Sequence, residues 1–109
     1  MNTKTLKRRL DALEAANLAR WWQLCESLGG AMTAQLTEAE LLEVAGAADR
    51  GEVPPWWPAR FAAFVASDPA QGDAWQEAKR LEYGLLTSGY RLNTDSRGVI
   101  VAPGMVKAR

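Results

Sequence analysis

Pro54-Pro55-Trp56-Trp57-Pro58 is the stretch on which the reading of this chain turns. Three prolines hold φ near the polyproline value and bias Val53, Pro54 and Trp57 toward extended backbone, so two adjacent indoles are presented on a stiff corner. Each indole can remove roughly 200 Å² from water, worth about 4–5 kcal/mol as an upper bound, so something has to cover the corner. Covered by the protein's own helices, it is a core hinge. Covered by another molecule, it makes Trp56 and Trp57 binding anchors of the kind that dominate protein interfaces. The residues of the corner leave both readings open.

On either side of the corner the sequence reads as helix. Upstream, Thr37 and Glu40 form a T-x-x-E capping box, with Leu36 and Leu41 placed as a hydrophobic staple. Leu41, Leu42, Ala45 and Ala48 are the expected buried side of this helix, and Gly51 is its stop. Downstream, Pro58 suits the first turn of a short helix to about Ala66, with Phe61, Phe64 and Val65 inward. Asp68-Pro69 and Gln71-Gly72 read as a break, and Asp73 with Gln76 as a second capping box opening a helix to about Ser88. Ala74, Ala78, Leu81 and Leu85 line one side of it.

Further toward the N-terminus, Leu6, Leu10, Leu13, Asn17, Trp21, Leu24 and Leu28 follow one another at spacings of three and four, which predicts one long helix ending at Gly29-Gly30. At about 37 Å such a helix exceeds what a compact domain of this size needs, so its first half is expected to project. Leu6, Leu10 and Leu13 then form a short heptad seam for self-association. Asn17 sits at a core position, where a buried amide sets register in a parallel dimer. The alternative is that the stripe folds onto the later helices.

From Tyr90 the period changes to two, and Tyr90–Asn93 and Val99–Ala102 read as a hairpin closed by a polar loop. The expected fold is therefore mainly α, a four-helix single domain with a long N-terminal helix and a C-terminal β-hairpin. Its ranges are 1–28 for the long helix, 36–88 for the helical core, 90–102 for the hairpin and 103–109 for a loose tail.

Composition narrows the function classes. The 109 residues carry 13 bases and 13 acids, and the balance runs +3 over residues 1–20, −7 over 21–77 and +4 over 78–109. No net charge argues against indiscriminate nucleic-acid binding or a membrane-surface role. Histidine is absent, which removes the commonest general base and zinc ligand. The serines lack a G-x-S-x-G turn, and no metal-ligating spacing is present, so no enzyme, no cofactor and no metal site is expected. Cys25 is the one cysteine and reads as a small apolar filler. With no disulfide, no apolar segment of a signal peptide and no membrane span, a reducing cytoplasm is the expected location.

The fourth helix also supports a nucleic-acid reading. Helices followed by a hairpin reproduce the order of a winged-helix domain. Gln76, Lys79, Arg80, Tyr83 and Thr87 lie opposite the apolar stripe, and the hairpin loop offers Arg97. Asp95-Ser96-Arg97-Gly98-Val99-Ile100-Val101 resembles the wing of the multidrug-resistance-type winged-helix regulators. That resemblance covers about seven residues and implies a wing arginine, Arg97, approaching DNA. The contrasting feature is five tryptophans in a short chain, more than a small core readily buries with every indole N–H satisfied. The expected function is a non-enzymatic, homo-oligomeric protein-binding or assembly protein anchored by Trp56 and Trp57, of the kind found among phage or mobile-element accessory and inhibitory proteins. The alternative is a winged-helix-like DNA-binding protein using Gln76, Lys79, Arg80 and Arg97.

Overall fold

The long first helix runs straight through Gly29-Gly30. In the computed structural model, which describes residues 2–108, α1 spans Thr3–Thr33, about 46 Å at 1.5 Å per residue. Met1 and Arg109, the outer ends of the ranges expected for the helix and the tail, lie outside the described residues. The Asn2 side chain caps α1 by accepting the Thr5 N–H at 2.8 Å. Two interior glycines cost about 1 kcal/mol each relative to alanine. Leu28 and Met32 flank them and pack on Phe64, Met32 being only 1% exposed. Burial of two large side chains, about 1.5–3 kcal/mol each, outweighs the glycine cost and corrects the expected helix end.

Among the described residues, α1 is followed by α2 (Glu38–Asp49), α3 (Trp57–Ala66), α4 (Pro69–Thr87), β1 (Tyr90–Thr94) and β2 (Ile100–Lys107). The fold is mainly α, with four helices, a long N-terminal one and a two-stranded antiparallel hairpin. α2 starts with the expected capping box: Glu40 N–H donates to Thr37 Oγ1 at 3.2 Å and Thr37 N–H to Glu40 Oε1 at 3.0 Å. Its buried side differs from expectation. Leu41 and Leu42 are 42% and 68% exposed, while Ala47 is buried and Val44 and Ala48 half-buried. Glu40, Glu43 and Ala47 share a face at helical spacing, with Glu40 bonded to Arg60 of α3 and Glu43 to Trp56 of the corner, and Leu41 and Leu42 point away from that face.

α4 begins four residues earlier than its expected capping box. Asp68 Oδ1 accepts the Ala70 N–H at 2.8 Å and Pro69 takes the first helical position. That is the one place where a missing N–H costs nothing, so Asp68-Pro69 starts a helix instead of breaking the chain. Ala78, Leu81 and Leu85 are buried as expected, and Phe64 is the buried residue of α3.

The segment after Ala102, expected to be a loose tail, is the second half of β2. Tyr90 pairs with Lys107, Leu92 with Met105 and Thr94 with Ile100, leaving extra residues of β2 opposite Asn93. The Asn93 amide donates to Ala102 O at 3.1 Å and holds this bulge. Met105 is 0% exposed and packs with Trp21, Leu24, Leu81 and Leu85. Gly104, at φ +91°, lies where any Cβ would overlap the Trp21 and Trp22 rings. Pro103-Gly104 thus marks a bulge pressed onto an aromatic pair, and the core contact of Met105 supplies the driving force.

α1 is consequently the common wall of two clusters, one formed with α4 and the hairpin and the other with α3. Its outer end is bare: Leu6, Leu10 and Leu13 are 52%, 53% and 58% exposed. The molecule measures 57 × 35 × 18 Å.

These environments set two opposed glycine substitutions. Gly104→Ala is expected to lower stability by more than about 2 kcal/mol through ring overlap and an unfavourable φ. Gly30→Ala, in an exposed helical position with open space around its Cβ, is expected to raise it by about 0.5–1 kcal/mol. Urea denaturation of the two variants beside the parent chain measures both.

Candidate interaction surfaces

The tryptophan corner is built on both of its neighbours. Pro54 is buried, and Trp56 and Trp57 are half-buried with ring centroids 6.2 Å apart. The Trp56 indole N–H donates to Glu43 Oε2 at 2.7 Å, and the Arg60 guanidinium lies 5.1 Å from the ring centroid. Arg60 in turn reaches Glu40 at 2.6 Å. That charged hydrogen bond, with the Thr37 N–H, holds the Glu40 carboxyl below its ordinary pKa. Trp57 stacks on Phe61 and packs against the Leu28–Met32–Phe64 cluster. The two anchors therefore differ: Trp56 is tied to α2 by its polar edge, and Trp57 by its apolar face to the core.

Next to Trp57 a groove of about 1100 Å³ opens between the C-terminal part of α1, α2, the corner and the hairpin tip. Val44, Ala48, Val53, Trp57 and Ile100 give it an apolar lining, and Glu52 lies on its wall. The groove joins residues from Gly29 to Ile100, so no single stretch of sequence announces it. The nearest local signals are Gly51 and Val53. Gly51, at φ +69°, ends α2, and a Cβ there would overlap the Arg97 carbonyl oxygen. This close approach seats the hairpin tip on the end of α2.

Arg97 occupies the same junction. Its guanidinium donates to Asp49 at 2.9 Å and to Asp95 at 3.0 and 3.3 Å. Asp95 also accepts the backbone N–H groups of Arg97 and Val99. These donors pull the Asp95 carboxyl below its usual range and push the Arg97 guanidinium up. The residue expected to lead a DNA wing is engaged with two carboxylates of its own chain. Gln76, Lys79, Arg80 and Tyr83 lie exposed along α4, and Lys79 sits 5.7 Å from the Trp75 ring centroid.

The other expected residues fall in separate places. Leu6, Leu10 and Leu13 share an exposed stripe on α1, whereas Asn17 is half-buried near the point where Lys107 reaches Glu14 at 2.8 Å. Cys25 is half-buried against the first cluster, and burial pushes its thiol up to about 11, the behaviour of an apolar filler. Trp21 is buried, with Trp22 and Trp75 packed partly against the same cluster. No helix among the described residues is long and apolar enough to cross a membrane.

Comparison with protein-family models, with curated proteins and with solved structures finds no match.

Because Trp57 contributes to both core and groove, Trp57→Ala is expected to cost about 2 kcal/mol, part of the 3–5 kcal/mol typical of a fully buried aromatic. Glu43→Gln, which keeps an acceptor for the Trp56 indole, is expected to shift the melting midpoint little. Thermal melts followed by circular dichroism compare the two.

Proposed function

We propose that this chain is a non-enzymatic binding or assembly protein of the cytoplasm that works as a homo-oligomer and presents the Trp57 side of its corner to a protein partner. The observation that carries this reading is the bare end of α1. Leu6, Leu10 and Leu13 stand at i, i+4 and i+7 on a helix extending past the elements that cover the rest of it. Three large apolar side chains aligned on one projecting helix are the pattern of helix-mediated recognition. The groove beside Trp57 adds a second apolar surface, and Trp56, fixed by Glu43 and Arg60, buttresses it.

A DNA-binding reading keeps one favourable observation, the exposed row Gln76, Lys79, Arg80 and Tyr83 on α4. It has to release Arg97 from Asp49 and Asp95 before the hairpin tip can meet a phosphate. The protein-binding reading requires no such exchange.

Sedimentation equilibrium tests the preferred reading. The parent chain is expected to exceed monomer mass at concentrations below about 100 µM. Leu10→Asp, at an exposed position, is expected to be monomeric and to match the parent's melting temperature at concentrations where the parent too is monomeric. A parent chain that remains monomeric throughout would remove self-association from the reading. In the DNA reading, Lys79→Ala and Arg80→Ala should each weaken duplex binding and reduce its salt slope by about one. An equal slope in all three proteins would rule α4 out.

A further inference from the structure

The segment from Thr37 to Val53 is joined to the body at two buried residues and packs little between them. Leu36 and Pro54, on either side of it, are buried, and Ala47 is the one buried residue within it. Leu36 is also held by the turn that continues α1, its N–H donating to the Thr33 carbonyl at 3.1 Å. α2 makes up most of the segment, and its capping box satisfies its first N–H groups locally. Moving α2 off the body therefore leaves those groups bonded.

Between α2 and the body lies the groove of about 1100 Å³, lined from the segment by Val44, Ala48 and Val53 and from the body by Gly29, Thr33 and Trp57. An open space of that size means that α2 stands off the body instead of packing on it. What holds α2 is polar. Glu40 reaches Arg60 of α3 at 2.6 Å, Glu43 accepts the Trp56 indole N–H at 2.7 Å, and Asp49 reaches Arg97 of the hairpin tip at 2.9 Å. In all three the acceptor is on α2 and the donor on the body, and all three are exposed. Water replaces such bonds at small cost.

We infer that Thr37–Val53 is a lid on the Trp57 groove, swinging as a unit about Leu36 and Pro54, and that the ion pairs Glu40–Arg60 and Asp49–Arg97 are its latches. Opening exposes one buried side chain of the lid, Ala47. Neither apolar cluster contains a residue of the segment, so the core formed by α1, α3, α4 and the hairpin persists while the lid moves. Salt screens exposed charge pairs and leaves apolar contacts in place, so it acts on the latches selectively. The lid is a property of the fold and does not depend on the protein-binding reading above. For a partner at the Trp57 side, it sets when the groove is accessible.

Hydrogen exchange followed by mass spectrometry tests this on the full chain. In dilute salt, the hydrogen-bonded amides of α2 are expected to exchange, relative to their intrinsic rates, at least about tenfold faster than those of α1 between Trp21 and Met32. Raising NaCl to about 1 M, which shortens the screening length to about 3 Å, is expected to speed α2 about two- to tenfold and to leave α1 and α4 unchanged. The double variant Glu40→Gln, Asp49→Asn keeps acceptors for the Thr37 N–H and for Arg97 but removes both charges. Its α2 is expected to exchange in dilute salt as the parent's does in concentrated salt, with no further response to salt. The α1 and α4 amides report in the same spectra whether the variant is folded, and the salt comparison on the parent stands without it. An α2 that exchanges no faster than α1 overturns the inference, because the chain then opens only as a whole. An α2 that exchanges quickly but equally at both salt concentrations overturns the latches, and the inference with them.

Discussion

Burial of two successive stretches of α1 is the constraint on which the rest of the fold depends. Trp21 and Leu24 form one cluster with Ala78, Leu81, Leu85 and Met105, and Leu28 and Met32 form another with Phe64. One helix thereby fixes α4, the hairpin and α3 at once. The helix must stay continuous between Leu24 and Met32 for both clusters to exist, which is why Gly29-Gly30 is helical despite its propensity. The same continuity carries the helix outward at its other end, where no element is left to cover Leu6, Leu10 and Leu13. Core and bare stripe are two consequences of one long helix in a small chain.

α2 is held differently. It contributes one buried residue, Ala47, and is fastened by Glu40 to Arg60, Glu43 to Trp56 and Asp49 to Arg97. Two of these ties are exposed ion pairs, each worth about 0–1 kcal/mol, and the third is an exposed indole hydrogen bond of about 1 kcal/mol, all less than a buried leucine. The groove therefore has one wall in the core and one wall attached by polar ties, an arrangement drawn from the less stable end of the structure. A wall of that kind adapts to an occupant more readily than a core helix does.

The corner that dominates the sequence has a divided role. Trp56 and Trp57 are adjacent and stiffened by three prolines, yet one indole is positioned by a carboxylate and the other by Leu28, Met32 and Phe64. Neither is wholly interior nor wholly free. Arg97, which the hairpin loop offers to solvent, is likewise engaged by carboxylates of its own chain. Asp49 supplies the carboxylate that engages it, 48 positions away in the chain, so no reading of the hairpin loop by itself reveals the tie.

What the sequence by itself determined is whatever short-range physics decides: the helical spacing of α1 and α4, the Thr37–Glu40 capping box, the turn from helix to hairpin at Gly89-Tyr90 and the mainly α class. These features depend on residues within one or two turns of each other. Only the tertiary structure decided the passage of α1 through two glycines, the outward rotation of Leu41 and Leu42, the ordering of Pro103–Met105 and the groove beside Trp57. The glycine passage and the ordering of Pro103–Met105 follow from long-range burial, at energies that exceed local propensity, and the orientation of α2 goes with polar partners distant in the chain. Asp68-Pro69 lies between the two groups: as a helix start its signal is local, but the same dipeptide also serves as a break. The reason for the division is physical. Propensities and caps act at about 1 kcal/mol between near neighbours, and burial of a large side chain acts at about 2–3 kcal/mol between residues that only the folded chain brings together.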